Sequence, residues 1–200
     1  MKHTTIVLGA LLLAGCASFG QNGDPLPQIT FNHVNAYPLY VASYESVGLE
    51  AGSKPETLGG FIADPGQIVH DYLKSRYEAA GSQGKLVAKI RSVDIAHERV
   101  DSENAIGAFI GLDQKDHYRV SVILDLSVHG IGSMDWQKQS LTVYRDIYIS
   151  EHVSLVEREK LEMRAMDHMI DDLDIALRKI LNDKFGILSS REAEPEDTQL

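Results

Sequence analysis

Residues 118–128 (YRVSVILDLSV) contain the pattern that most constrains the fold of this 200-residue chain. Every second residue of this stretch is apolar, and most of the residues between them are polar. Because successive side chains of a strand point to opposite faces, this alternation predicts a β-strand with one face buried and the other in water. Alternating apolar residues from Leu141 to Ile149 predict a partner strand beyond the Gly130–Gly132 turn. So short a connection favours an antiparallel hairpin, since a parallel crossover needs a dozen residues or more.

Two further strands are predicted upstream of this hairpin. Residues 37–47 are rich in Val and Tyr, which favour strands, and follow a loop-like segment. Residues 86–95 alternate between apolar and polar, but the apolar positions change parity near Arg91 and Ser92. A change of parity of this kind predicts a β-bulge, where one extra residue is inserted into the strand.

Two helices complete the predicted elements. Residues 64–67 (DPGQ) begin the first, because Asp is a favoured N-cap and Pro suits the first helical position; its apolar face extends to Ala80, and it stops at Gly81. A capping box at 154–157 begins a long second helix that ends at Gly186. The order β-α-β-β-β-α predicts an α+β fold: an antiparallel sheet of about four strands with two helices packed on one face.

The amino terminus has the layout of a secretion signal. Lys2 gives it a positive start, and the apolar run from Ile6 to Leu13 is eight residues long. A helix of eight residues covers about 12 Å, whereas the hydrocarbon core of a bilayer is roughly 30 Å thick. The run therefore predicts a signal peptide rather than a membrane span.

The end of this signal, Leu13-Ala14-Gly15-Cys16, resembles the lipobox of bacterial lipoprotein precursors. The resemblance implies cleavage before Cys16, a diacylglyceryl group on its sulfur and an acyl chain on its new amine. In enterobacteria, an Asp directly after the lipidated Cys resembles a signal that retains a lipoprotein in the inner membrane. In this chain Cys16 is followed by Ala17 and Ser18, so the resemblance implies the periplasmic face of the outer membrane. A plain secretory signal with a coincidental Cys is the alternative.

The sequence divides the chain into four segments. Residues 1–15 are the predicted signal peptide, and residues 16–28 are the lipidated Cys and a flexible tether rich in Gly and Pro. Residues 29–188 are predicted to form one folded domain. Residues 189–200 are acidic with almost nothing to bury, which predicts a disordered tail.

Composition excludes several classes of function. The chain has 29 acidic and 19 basic residues and a formal net charge of -10, which argues against nucleic acid as a partner. Its single Cys excludes an internal disulfide and a zinc site built from several cysteines. The chain carries no nucleophile elbow, phosphate-binding loop or dinucleotide-binding motif. We therefore expect a non-enzymatic protein with no catalytic residues and no cofactor.

Two groups of residues have spacings that a metal site could use. One is the segment from His97 to Asp101 at a strand end, and the other is His168 with Asp171 and Asp172 on one helix face. A strand does not bring residues four apart onto one face, and charged residues on a helix usually form its solvated side. We therefore predict no metal site.

Two apolar features are candidates for binding. Residues 105–112 (AIGAFIGL) predict either an edge or turn strand, or a loop whose Ile106, Phe109 and Ile110 contact acyl chains or a membrane partner. Met163 begins a repeat of methionines at every third residue, and adaptable Met side chains suit a contact surface. Packing of these methionines in the core beneath the sheet is the alternative.

The chain resembles the small α+β lipoproteins of Gram-negative envelopes in the order of its parts. These parts are a lipobox, a strand, a helix that begins with Pro, antiparallel strands and a long terminal helix. The group includes lipopolysaccharide-assembly lipoproteins and the auxiliary lipoproteins of ABC-type lipid transporters, and residues 147–181 look like alphaproteobacterial members of the group. The resemblance implies an accessory in lipid or lipopolysaccharide transport or envelope assembly. Its partners would be the membrane, through acylated Cys16, and an envelope protein or lipid. A periplasmic protein-binding regulator of cell-wall synthesis and a hydrolase are the alternatives.

Overall fold

A computed structural model of the chain describes residues 29–31, 35–50, 61, 63–100, 115–132 and 134–188. The described elements are, in chain order, β1 (Tyr37–Leu39), β2 (Ser43–Val47), α1 (Pro65–Arg76), β3 (Tyr77–Ala79), β4 (Lys85–Val100), β5 (Lys115–Ile131), β6 (Met134–Ser150) and α2 (Leu155–Asp183). The predicted α+β class is confirmed. The predictions for residues 1–28, 101–114 and 189–200 lie outside the described residues.

Four strands form the main sheet, in the order β2-β4-β5-β6. β4, β5 and β6 are antiparallel neighbours of 16 or 17 residues each, and the predicted bulge lies between Ile90 and Ser92. The face of this sheet that packs against the helices is called the inner face, and the opposite face is called the outer face. The alternation predicted for β5 is confirmed, because its inner-face residues are all buried: Tyr118, Val120, Val122, Leu124, Leu126 and Val128.

The main sheet is mixed, which corrects the prediction of a wholly antiparallel sheet. β2 runs parallel to β4, with Tyr44 opposite Leu86. The chain between these strands contains α1, so the three elements form the crossover unit that a parallel pair requires. Strand direction depends on which strands become neighbours, and a local alternation pattern carries no information about that choice.

The strand predicted at residues 37–47 is two short strands, β1 and β2, and the chain bends between them. β1 pairs in parallel with β3, where Tyr37 lies opposite Tyr77. β3 also corrects the predicted helix, because α1 ends at Arg76 and does not continue to Ala80. Tyr77 is buried as predicted, but this burial comes from a strand that pairs with a distant part of the sequence.

α1 begins where the sequence predicts. The backbone N–H of Gln67 donates to Oδ1 of Asp64 at 3.0 Å, and Pro65 occupies the first turn. This bond satisfies one of the amide groups that the first turn of a helix leaves without an intrahelical partner. The apolar face of α1 is buried through Val69, Tyr72 and Leu73.

α2 begins at the predicted N-cap, Ser154, although the Glu157 carboxylate contacts Arg164. The N–H of Glu157 donates to Oγ of Ser154 at 3.2 Å. At the other end Gly186 has a φ of +63°, and the N–H of Ile187 donates to the carbonyl of Leu181 at 3.0 Å. The N–H of Gly186 itself donates to the carbonyl of Asn182 at 3.1 Å, which is the αL capping motif. This motif favours glycine because side chains are strained at positive φ. Neither helix of the described residues combines the length and apolar composition needed to cross a membrane.

Asp174 of α2 joins the two helices. Its carboxylate accepts hydrogen bonds from the Tyr72 hydroxyl and, at 3.0 Å, from Nε of Arg76, both on α1, and Nε of Arg178 lies 2.9 Å from it. Burial raises the pKa of Asp174, but the hydrogen bonds from Arg76 and Tyr72 outweigh this effect and hold the pKa below its ordinary range. The carboxylate is therefore ionised at neutral pH, and it fixes the helices relative to one another.

The first described residues lie against the helices, away from the outer face. The ring of Phe31 packs edge-on against Tyr72, with 5.4 Å between centroids. Ile29 and Thr30 line a cavity of about 220 Å³ together with residues of both helices. The chain therefore joins the domain on the helix side of the sheet.

Candidate binding surface

The outer face of the main sheet differs in charge from the chain as a whole. The chain has 29 acidic and 19 basic residues. The strand pairing places on the outer face six basic residues (Lys85, Lys89, Arg91, Lys115, Arg119 and Lys138) and five acidic ones (Glu45, Asp94, Glu98, Asp125 and Asp146). The outer face is therefore close to neutral on an acidic protein, which favours approach by an acidic partner with this face first.

Three large aromatic side chains stand on the outer face of β6. Trp136, Tyr144 and Tyr148 expose 61%, 60% and 58% of their surface. They are called the aromatic row, because strand residues an even number apart point to the same face. Exposed Trp and Tyr side chains are enriched at protein interfaces, where their burial supplies much of the binding energy. The row marks the outer face as a candidate binding surface.

Neighbouring side chains fix the orientation of the aromatic row. The imidazole of His129 stacks on Trp136 with 4.6 Å between centroids, and that of His117 stacks on Tyr148 at 4.5 Å. The ammonium of Lys138 lies 5.7 Å from the Trp136 centroid, within the range of a cation–π contact. The rings are thus held in place before any partner binds, which lowers the entropy lost on binding.

His117 is held between two carboxylates. Its Nδ1 lies 2.7 Å from Glu98 and its Nε2 lies 2.8 Å from Asp146, which also accepts a 2.8 Å hydrogen bond from Nε of Arg119. The bonds to Glu98 and then Asp146 raise the pKa of His117, because both ring nitrogens must carry a proton to donate. Its contacts suit a doubly protonated imidazolium that links three strands, rather than a general base.

A second polar cluster lies on the inner face where α2 begins. Oδ1 of Asp116 lies 2.8 Å from Nε2 of His97, and Arg158 donates to Asp116 at 2.8 Å and to the Tyr118 hydroxyl at 2.6 Å. The carboxylate of Glu162 is fully buried, 3.7 Å from Nε of Arg158. Burial raises the pKa of Asp116, but the hydrogen bond from His97 and the charge of Arg158 outweigh it and lower the pKa. These contacts fasten the start of α2 to the sheet.

Of the residues predicted to make apolar contacts, only Met163 lies within the described part of the chain. It is half-buried on α2. Met166 and Met169, the next members of the repeat, are fully buried in the core, as the alternative interpretation expects. Cys16, Ile106, Phe109 and Ile110 lie outside the described residues, and their assignments stay predictions.

Of the residues in the two groups considered above as metal candidates, Asp101 lies outside the described residues. Nδ1 of His168 lies 4.0 Å from Oδ2 of Asp171, and both side chains are exposed. His97 lies on β4 and contacts Asp116. Across the described ranges, no group of three or more His, Cys, Asp or Glu residues is arranged to hold a metal ion.

The aromatic row is not among the contact residues predicted above, although the sequence carries a signal for it. Its three residues occupy even-numbered positions of β6, whereas the buried Val143, Ile147 and Ile149 occupy odd-numbered ones. Positions that face solvent on an alternating strand are usually polar. Large aromatic side chains at such positions therefore indicate a contact surface.

Comparisons with known proteins add little to this description. No protein family model matches the chain. No curated protein matches it either. Among solved structures, the chain is similar to a minor lipoprotein from Acinetobacter baumannii, with 12% identity and a TM-score of 0.39 over 76% of this chain and 98% of the other. Similarity this remote says nothing about what this chain binds or does.

Proposed function

We propose that this protein is a lipoprotein held at the periplasmic face of the outer membrane, and that its domain is a non-enzymatic accessory in envelope assembly. The lipobox carries the proposal: the one Cys of the chain directly follows Leu13-Ala14-Gly15, behind a short apolar run. Each buried methylene contributes about 0.8 kcal/mol, and a single acyl chain binds only reversibly. Acylation of both the sulfur and the new amine of Cys16 therefore accounts for stable attachment.

The outer face supports a role in docking an envelope protein. Its three long strands have 16 or 17 residues. At about 3.4 Å per residue and about 4.8 Å between strands, they present roughly 750 Å², close to the 800 Å² or so that each partner buries in a standard interface. With the aromatic row and a charge close to neutral on an otherwise acidic protein, this area is the part of the domain that least repels an acidic partner.

The same geometry favours docking over the carriage of lipid inside the domain. The inner face is filled, because its apolar side chains form one core with those of α1 and α2. An acyl chain would have to displace a helix to reach this face. We therefore propose that the protein assists lipid or lipopolysaccharide transport by binding a protein, and that it does not carry the lipid itself. A regulator of cell-wall synthesis would use the same anchor and face, so the identity of the partner separates these roles.

Labelling with radioactive palmitate tests the anchor. We expect the wild-type chain to be labelled and to fractionate with the outer membrane, and Cys16→Ser to be unlabelled because the acceptor sulfur is lost. Ala17→Asp is the matched control: it should stay labelled and move to the inner membrane. An unlabelled wild-type chain that is released with the soluble periplasmic proteins would contradict the proposal.

A photoreactive amino acid at position 144 tests the docking surface in cells. Ile175 on α2 is the control position, because its side chain is 61% exposed and Tyr144 is 60% exposed. We expect an envelope protein other than a second copy of this chain to be captured from position 144 and not from position 175. Capture of lipid alone from position 144, or equal capture from both positions, would overturn the docking role.

A further inference from the structure

Among the strands that the structure describes, β6 is the long edge of the main sheet. It has 17 residues and pairs with β5 on one side, whereas the opposite edge strand, β2, has five residues. A long edge strand presents a row of backbone donors and acceptors to any other strand, and natural proteins usually shorten, cover or charge such edges. Four of the 17 residues of β6 are charged, close to the 24% of the whole chain, so its composition does not protect the edge. The positions of Lys138 and Asp146 indicate pairing instead.

We propose that β6 pairs with β6 of a second copy of this chain, antiparallel, about a twofold axis that passes through Thr142. Residues equally distant from Thr142 on the two strands then lie opposite one another. On the outer face this register pairs Trp136 with Tyr148, Lys138 with Asp146, Ser140 with Tyr144, and Thr142 with itself. On the inner face it pairs Gln137 with Ile147, Gln139 with Arg145, and Leu141 with Val143. The interface is isologous, so each unlike pair occurs twice.

Charge selects this register. Lys138 and Asp146 both lie on the outer face of β6, four residues on either side of Thr142. Opposite charges on directly facing strand residues stabilise a pair of strands, and like charges destabilise it. Moving the axis to Leu141 or Val143 sets Lys138 opposite Tyr144 or Tyr148, and both ion pairs are lost.

The uncharged pairs fit the same register. The largest exposed side chain of the strand, Trp136, lies opposite Tyr148, and aromatic pairs are among the favourable cross-strand contacts. On the inner face the apolar Leu141 meets Val143. Each of these pairs joins residues an even number of positions apart, which point to the same face of a strand. Pairing about Thr142 therefore keeps the outer faces of both copies on the same side.

The described residues leave room for a second strand at this position of the edge. A groove of about 500 Å³ lies there, lined by residues 142–146 of β6 and by Asp172 of α2. Pairing over residues 136–148 gives a ladder about 44 Å long at about 3.4 Å per residue. The two outer faces become one continuous surface with two aromatic rows, which extends the surface proposed above for docking but does not depend on that role.

Disulfide trapping tests the register directly. The full chain with Cys16→Ser has no other cysteine, so Thr142→Cys adds the one thiol. Across the axis, the Cα atoms of the two copies of residue 142 lie about 4.5–5.5 Å apart, which is within the range of Cα–Cα distances that a disulfide bridges. We expect a covalent dimer on mild oxidation. Ser140→Cys is the matched control, because its two copies lie about 14 Å apart and should remain reduced.

Sedimentation of the full chain with Cys16→Ser, otherwise unchanged, tests the charge pair. Lys138→Glu places two carboxylates opposite the two copies of Asp146, and we expect the dimer to weaken by about tenfold or more. Lys115→Glu makes the same change of charge away from the edge and should leave the dimer unaltered. A chain that sediments as a monomer at about 100 µM, a Thr142→Cys variant that forms no disulfide, or capture of a different protein from position 142 by a monomeric chain would each overturn the proposal.

Discussion

The imidazole of His117 lies parallel to the ring of Tyr148, with 8° between the planes and 4.5 Å between the centroids. Its two nitrogens contact Glu98 on β4 and Asp146 on β6, so one side chain of β5 links three strands. This arrangement depends on the charge of the ring, because a neutral imidazole can donate from one nitrogen only. The outer face is therefore predicted to respond to pH.

The stability of the domain should fall as pH rises above neutrality. The pKa of His117 is raised in the folded protein by Glu98 and Asp146. Its contribution is therefore fully present below the ordinary histidine pKa of about 6.5, and it is lost as pH rises through the raised folded value. We expect the urea midpoint to be lower at about pH 9 than at about pH 6, and His117→Gln to reduce this difference. His129→Gln, which removes the other stacked histidine, should retain it, and an unchanged difference in His117→Gln would contradict the assignment.

Replacing Asp174 should loosen the contact between the helices. Asp174→Ala leaves the guanidinium groups of Arg76 and Arg178 without their shared carboxylate, and we expect a loss of about 2–3 kcal/mol in the free energy of unfolding. Asp171 is a suitable control, because its side chain is 72% exposed. Asp171→Ala should change stability by less than about 0.5 kcal/mol. Equal effects in chemical denaturation would show that Asp174 does not join the helices.

The two environments within the methionine repeat should be distinguishable by mutation. Met169 is fully buried, so Met169→Ala leaves a cavity and should cost about 3 kcal/mol in unfolding free energy. Met163 is half-buried, and Met163→Ala should cost about 1 kcal/mol or less. Thermal or urea denaturation of both variants measures the difference. A larger loss for Met163 would place it in the core and remove it from the candidate contact residues.

Gly84 should tolerate substitution less well than Gly132. Both have positive φ, +74° and +60°, so alanine at either position costs about 1 kcal/mol in backbone strain. A Cβ at Gly84 would also collide with the side chain of Ile131 and lie 2.8 Å from the carbonyl oxygen of His129, whereas a Cβ at Gly132 meets nothing within 4 Å. We expect Gly84→Ala to lose about 3 kcal/mol or more, measured as the shift in urea midpoint, and similar shifts for both would contradict the close approach.

The parts of the fold that the sequence predicts are those specified by local chemistry. The alternation around Val122, the bulge beside Arg91 and the caps at Asp64 and Ser154 all follow from the residues themselves. In each case the buried or hydrogen-bonded state of a residue depends on neighbours a few positions away. These predictions are confirmed by the register of the strands and the bounds of the helices.

The features that the sequence does not predict depend on distant partners. Tyr77 fits both the last turn of a helix and a short strand, and only its pairing with Tyr37, forty positions earlier, decides between them. The parallel direction of β2 has the same origin, because it follows from the path of the chain through α1. For the surface, the alternation of β6 places Trp136 on the polar side of the strand, but its exposure also requires that α2 cover the other face.

The place where residues 29–31 meet the helices has a consequence for orientation. Phe31 packs on Tyr72 of α1, so the chain arrives at the domain from the side opposite the aromatic row. If residue 16 is acylated, the twelve residues 17–28 can span at most about 40 Å between the bilayer surface and the domain. The arrangement in which the two helices face the bilayer requires the least extension of this segment, and it directs the aromatic row towards the periplasm.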